Sequence, residues 1–467
     1  MFDRVMPQRC AAALRLRDST MATNSRTRFR SGRLSNIVHH SRHKSIHCRT
    51  GRGCLPSVDT PTFLLQPMSA SPSAIPSLPF AGLRVLDISQ GIAGPYCAQI
   101  LWQQGADVVK VEPPDGDWGR HVGVVRGAHS ALSIAYNAGK RGLCLDARAP
   151  RGKALLGQLA RRADVVIQNF RPGVAARIGV DYAELAAERP GLVYVSISGY
   201  GPTGPYANAP ASDSVMQADS GLMAANQSPD GEPRRIGLLM ADIATALYAA
   251  QAVSAALYRQ ARGGGGSHVE LSLFQACAAL QVNDIVAHGM AGERVAGPVS
   301  APNGVFDTAD GRLSVLALNN DQFARLCRAL DRPQWLADPA YADNASRMAR
   351  RDALHAELAA QLRQHPTDYW TERLAREDVL HARVRNYDDL AAHPQARHVG
   401  LLEPLAQAGG APLPYSRLPG VAHPRPLTAA PGIGEHSTQV LADWGVPAAD
   451  IDALLRAGVV RQAEQPA

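Results

Sequence analysis

From about residue 78 the chain alternates short apolar runs with longer stretches of helical periodicity. RVLDI at 84–88 reads as a strand, 95–104 as a helix ending at Gly105, and VVKVE at 108–112 as the next strand, closed by Pro113 and Pro114. Strand, glycine-loosened turn, helix and strand make a βαβ unit. The pattern repeats with GLCLD (142–146) as strand, GKALLGQLARR (152–162) as helix and DVVIQNF (164–170) as strand. A helix at 182–188 and a strand in LVYVSISGYG (192–201) follow. MADIATALYAAQAVSAALYRQ (240–260) is a long helix lined with small residues, broken at RGGGG (262–266), and HVELSLFQACAALQ adds a strand and a helix. Such an order predicts an α/β fold built on a parallel, Rossmann-like sheet.

The texture changes near 286. GVFDTADGRLSVLAL (304–318) reads as a β-hairpin, followed by helices at 321–330 and 349–363 and a linker around 386–399. This stretch is the candidate for a smaller α+β domain. Further β structure is expected within LEPLAQAGGAPLPYSRLPG and a closing helix in STQVLADWG (437–445).

Charge separates the head from the rest. Residues 1–75 hold 12 Lys/Arg against 3 Asp, leaving 36 basic and 38 acidic residues beyond them. The net charge of +7 therefore belongs to the head and gives no reason to expect nucleic-acid binding. That Arg/Ser/His-rich head (1–77) reads as a disordered extension or an organellar targeting peptide, without the apolar run of a secretory signal. Cys10, Cys48 and Cys54, with His39, His40, His43 and His47, lack the spacing of a zinc site. Seven cysteines, mostly isolated, suit a reducing cytoplasm, and no run of about 18 apolar residues reads as a membrane helix.

The informative stretch is RRADVVIQNFRPGVAARIG (161–179), where a buried strand delivers Asn169, Phe170 and a Pro-Gly turn to a sheet edge. Arg171 and Arg177 flank that turn and suit a phosphorylated ligand. SISGYGPTGPY (196–206) brings a glycine-rich loop, with the Tyr200 hydroxyl, to the end of the next strand. The glycines after the first strand lack the dinucleotide fingerprint, and the 263–266 run lacks the Lys-Ser/Thr of a P-loop. Three aspartates remain as candidates for chemistry. Asp230 sits in a Pro-Asp-Gly turn, Asp242 at the head of the long helix as a capping residue, and Asp213 in a loop or helix start.

Together, GLRVLDISQGIAGPYCAQILWQQGADVVKVEPPDGD (82–117), YNAGKRGLCLDARAPRGKALL (136–156), 163–182, 192–213 and GIGEHSTQVLADWG (432–445) resemble the class III coenzyme A transferases, which include formyl-CoA and carnitine-CoA transferases. The resemblance runs from about 79 to 450. It implies CoA transfer between an acyl-CoA and a free acid, with CoA as substrate and no permanently bound cofactor or metal. It places the nucleophile at Asp230 and the CoA contacts at Leu145, Asp146, Ala147, Arg148, Asn169, Phe170, Arg171, Arg177, Ser198, Gly199, Tyr200 and Gly201. The nucleophile would form an acyl-aspartyl anhydride and then an aspartyl-CoA thioester. The family fold implies an interlocked homodimer. Its large domain would combine 78–285 with 391–455, around an inserted domain at 286–390, before a tail at 456–467.

The chain also departs from the formyl-CoA transferases. Ile92 stands where they carry a glutamine, and GPVSAPNG (297–304) replaces their glycine-run loop, which weighs against formate or oxalate as substrate. A dicarboxylic donor such as succinyl-CoA fits family habit. Two alternatives stay open: a 2-methylacyl-CoA racemase, although Ser212 stands where racemases have a histidine, and a catalytically silent CoA-binding protein.

Overall fold

The computed structural model describes residues 78–463 except 229, 293–298 and 423. The basic head, its Cys/His set and residues 297–298 of the 297–304 segment lie outside the described residues. Residues 72–467 make one compact unit.

Its centre is a seven-stranded sheet. In chain order the strands are β1 (Arg84–Asp87), β2 (Asp107–Glu112), β3 (Arg141–Leu145), β4 (Val165–Gln168), β5 (Val193–Ser198) and β6 (Ser267–Ser272). They run parallel in the spatial order 3-2-1-4-5-6. That is the doubly wound order, in which the chain leaves β1 in one direction and returns to its other side at β4. The expected α/β, Rossmann-like sheet is therefore present. Val460–Arg461 pairs antiparallel with β3, so part of the expected tail completes the sheet.

Both faces are covered, which is why the strands read as continuous apolar runs. On one face α1 (Ala93–Gln103) and the long α5 (Met240–Ala261) pack over Val85, Val165, Val193 and Val195. On the other, α2 (Pro150–Arg162) and α3 (Tyr182–Glu188) cover Leu86, Val109 and Val166. The same face receives α8 (Ser437–Asp443) and α9 (Ala448–Arg456) from the far end of the chain. α4 (Asp213–Asp219) and α6 (Leu273–Leu280) join α5 on the first face, and α7 (Val282–Ala291) follows α6 in the chain. By length and hydropathy α5 could cross a membrane, contrary to the sequence reading, but half of it is buried inside the protein. Its alanines bring it close to α1 and α6.

The segment after 300 has its own core. β7 (Asn303–Asp307), β8 (Arg312–Leu316) and β9 (Leu380–Arg383) form an antiparallel sheet, packed by Phe306, Leu313, Phe323 and Trp370. The expected linker at 386–399 is instead two short helices, Tyr387–Ala392 and Pro394–His398. Asn386 and His393 cap them, a signal that proline and histidine hid in the sequence.

Beneath the sheet's C-terminal edge lies a chain of buried charge. Lys140 Nζ donates to Asp87 (2.8 Å), to the Pro95 carbonyl (2.8 Å) and to Asn137 (2.9 Å). Lys110 Nζ donates to Asp117 (2.8 Å) and to the Ser89 carbonyl. Arg120 embraces Glu112 with contacts of 2.7 and 2.6 Å. Burial opposes the charge on Asp87, yet the neighbouring Lys140 and Lys110 outweigh it and hold the carboxyl below its usual pKa. Removing one member of a fully buried pair strands the other. Asp87→Asn should cost about 3–5 kcal/mol in chemical denaturation, whereas the exposed pair Arg351–Asp352 should tolerate removal within about 1 kcal/mol.

Candidate active site

A doubly wound sheet opens a crevice where its winding reverses, between the ends of β1 and β4. There the protein has a cavity of about 570 Å³. Ile88 and Gln90 line it from the end of β1, Glu112, Pro113, Asp115 and Gly116 from β2, Leu145 to Arg148 from β3 and Phe170 from β4.

Its walls are tied together. Asn169, just past β4, accepts from the Gln90 amide (2.8 Å) and donates to the Gln90 carbonyl (2.6 Å), stapling the β1 loop to β4. Asp117 accepts from the Gly91 amide (2.9 Å) and the Gly119 amide (2.8 Å). Gly91 has a φ of +76°, and a Cβ there would meet the Trp118 ring at 2.1 Å, so only glycine fits beneath that indole.

The expected CoA contacts divide. Leu145, Asp146, Ala147, Arg148 and Phe170 line the large cavity. Arg171 and Ser198, with the other side of Phe170, line a neighbouring cavity of about 240 Å³. Asn169 acts as the staple, and Arg177 lies exposed on the short helix beside the cavities without lining either. Gly199 packs against Ala211, and the Gly201 amide donates to the Ser198 hydroxyl (3.0 Å). Tyr200 turns elsewhere: its hydroxyl donates to Asp219 (2.8 Å) and its ring packs with Tyr206 and Phe274. Gln90, Trp118 and His121 line the cavity without a sequence signal, since each is brought there by the loops it sits in.

The aspartates differ more than their sequence contexts suggested. Asp230 is exposed at the tip of a turn closed by Gly231 N donating to the Ser228 carbonyl (2.9 Å). The Ser228 hydroxyl donates to its carboxylate and, with nearby amides, holds it below the usual pKa. Asp242 sits in the first turn of α5, where Leu239 offers no side-chain cap. Asp213 supplies the cap instead. It accepts from the Ala241 amide (2.8 Å) and from Gln217 (2.8 Å), with Arg235 at 3.7 Å. Asp242 keeps some surface open, but burial, reinforced by the Asp213 charge, pushes its carboxyl up to about 7. Its charge also reaches Tyr136, whose ring lies 4.9 Å from that of Tyr96 in α1. Among the described residues no His/Cys/Asp/Glu group could hold a metal.

Residues 80–437 match the profile of CoA-transferase family III. The chain belongs to that family. It is 36% identical over 392 residues to succinate–glutarate CoA-transferase from Agrobacterium fabrum, covering 78% of this chain and 95% of that one. It is 32% identical over 391 residues to acetyl-CoA:oxalate CoA-transferase from Acetobacter aceti, covering 82% and 100%. The crystal structure of a CAIB/BAIF family protein from Brucella suis superimposes with a TM-score of 0.72 at 32% identity, covering 79% of this chain and all of the other. This class III transferase moves CoA between an acyl-CoA and a carboxylic acid.

In the transferase, the raised Asp242 pKa has a consequence for folding. Between the unfolded value of 3.8 and the folded value of about 7 the unfolded chain ionises first, so stability is lost as pH rises through that window. Asp242→Asn should raise stability at pH 8 by on the order of 2–4 kcal/mol and change it little near pH 4, read by urea melts at the two pH values.

Proposed function

We propose that this transferase exchanges CoA between dicarboxylic acids, with the CoA nucleotide in the 570 Å³ cavity and Asp242 as the nucleophile. The cavity lies at the switch point of the sheet, where nucleotides bind doubly wound folds, and Arg148 stands at its rim as a phosphate partner. The β1 loop links that cavity to α1: Gln90 lines it, and the Ile92 carbonyl accepts from the Tyr96 amide (2.8 Å). Tyr96 leads on to Tyr136 and Asp242.

The observation that carries the choice of nucleophile is the contrast between the two aspartates. An acyl anhydride hydrolyses unless water is kept away. Asp230, expected from the sequence, stands in solvent with its carboxylate engaged by Ser228. Asp242 is largely enclosed, and its higher pKa marks a more basic, more nucleophilic carboxylate once ionised. The Asp242 carboxylate oxygen attacks the thioester carbon, the C–S bond breaks and CoA thiolate leaves. The thiolate then attacks the aspartyl carbonyl, releasing the donor acid and forming aspartyl-CoA. The acceptor carboxylate repeats these two steps in reverse, regenerating Asp242.

Succinyl-CoA is the favoured donor because relatives named for succinate, glutarate and oxalate all handle dicarboxylates. The oxalate relative keeps oxalate among the acids to test, against the weight of Ile92 and the 297–304 loop. An exposed apolar face on α7 supports the homodimer: Val282, Ile285, Val286 and Met290 are 61, 53, 55 and 84% exposed.

Succinyl-CoA should leave an acyl or CoA adduct on wild type and on Asp230→Asn, and none on Asp242→Asn, by intact-mass spectrometry with hydroxylamine trapping. An adduct lost only in Asp230→Asn would return the role to that residue. Adduct formation should accelerate as pH rises through about 7, because attack needs ionised Asp242. Light scattering should show a dimer that Ile285→Asp with Val286→Asp dissociates; an unchanged mass would remove α7 from the interface.

A further inference from the structure

Three adjacent strands, β4, β5 and β6, carry a line of polar side chains that the reaction above does not use. Gln168 ends β4, Ser196 faces it on β5, and His268 lies on β6, with Gln168 and Ser196 in direct register. The Ser196 hydroxyl meets His268 Nε2 at 2.9 Å, and Gln168 Nε2 donates to Ser196 at 2.9 Å. At the other end, the Phe170 amide donates to Gln168 Oε1 at 2.7 Å. Phe170 is the shared wall of the two cavities.

The hydrogens in this line can be assigned from one end. A backbone N–H can only donate, so the Phe170 amide fixes the oxygen of Gln168 toward itself and the NH₂ toward Ser196. Ser196 then accepts from Gln168, which leaves its own hydrogen free for His268 Nε2. In that arrangement the imidazole is neutral, with its proton on Nδ1, toward Glu270 at 3.8 Å. We propose that His268 is a positioning residue for CoA, setting the Phe170 wall of the nucleotide cavity through Ser196 and Gln168. This rests on the reading that the 570 Å³ cavity holds CoA.

The glutamine cannot flip without opposing its NH₂ to the Phe170 N–H. A serine oxygen has two lone pairs, so a proton on Nε2 would make Ser196 accept from both neighbours and turn its own hydrogen out of the line. The surroundings decide when this happens. Burial holds the His268 pKa below its usual value, outweighing the charges of Glu270 on its own strand and Asp181 ahead of α3. Tyr182 of α3 stacks on the ring at 4.1 Å, and Tyr194 of β5 approaches edge-on at 5.5 Å, its hydroxyl donating to the Val180 carbonyl. Arg171 faces the same 240 Å³ cavity. The sign follows: the line is intact at neutral pH and breaks as pH falls through the His268 transition.

The test measures KM for acyl-CoA and kcat from pH 5.5 to 8 for wild type, His268→Ala, His268→Gln, Ser196→Ala and Phe170→Ala. Because CoA itself titrates, each profile is read as a ratio to wild type. Loss of one net hydrogen bond corresponds to roughly fivefold in affinity. Ser196→Ala and His268→Ala should raise the neutral-pH KM by about that factor with kcat within about twofold. His268→Gln, whose amide oxygen accepts from Ser196 without titrating, should restore it and abolish the acid-side rise seen in wild type. Nitrogen-15 shifts of the wild-type imidazole should report the Nδ1–H tautomer. Parallel pH profiles for wild type and His268→Gln, or an Nε2–H tautomer, would overturn the role of His268. If Phe170→Ala raises KM in that case, the CoA reading stands without it. An unchanged KM in Phe170→Ala would overturn both.

Discussion

The site depends on charges that the fold buries beneath it. The loop after β1 must leave the sheet at the point where the winding reverses, and nothing apolar in Ser89, Gln90 or Gly91 would hold it there. Lys110 grips the Ser89 carbonyl and Asp117, and Asp117 in turn holds the Gly91 amide. Lys140 secures Asp87, which receives the Ser89 hydroxyl. A buried ion pair adds little net stability compared with an apolar replacement, but it tolerates only one geometry. Here that geometry is the rim of the cavity. Desolvated charge is thus used to fix a loop that hydrophobic packing alone would leave free.

The same economy appears at Asp242, in reverse. A carboxylate beside another carboxylate, partly removed from water, weakens the native state. Such strain is tolerable for the nucleophile we propose, and Asp213 keeps the local backbone in order by capping α5. The two aspartates divide the work: one is satisfied by an amide, Gln217 and a distant arginine, the other is left under-solvated.

Much of the sheet was legible. Strands buried on both faces announce themselves as VVKVE or DVVIQ, and the periodicity of 182–188 and 240–260 matched the helices closely. The cavity's floor was legible too, because Leu145 to Arg148 and Phe170 follow directly from strand ends. What could not be read was long-range. Val460–Arg461 looked like a tail because two residues carry no period, and their strand exists only through β3. Asp242 read as a cap because its burial comes from elements distant in sequence, while the real cap, Asp213, lies 28 residues before the Ala241 amide it accepts from. Tyr200 was drawn toward the crevice by its glycine neighbours, but Asp219 and two aromatic rings claim it. A turn signal locates a loop and says little about which way its side chains face.

The return of the chain to its own sheet has a consequence during synthesis. Leu143 and Leu145 of β3 are covered in the finished protein by Val440, Leu441, Trp444 and Val460, roughly three hundred residues further on. While the ribosome is still making the intervening segment, that flank of the sheet and the edge of β3 have no partner. Contacts so far apart in sequence form late and slowly, and a bare parallel strand edge invites the wrong neighbour. A nascent chain of this protein therefore emerges with its switch-point crevice largely encoded but one wall of its scaffold still missing, and that flank stays open to aggregation until residues 437–461 arrive.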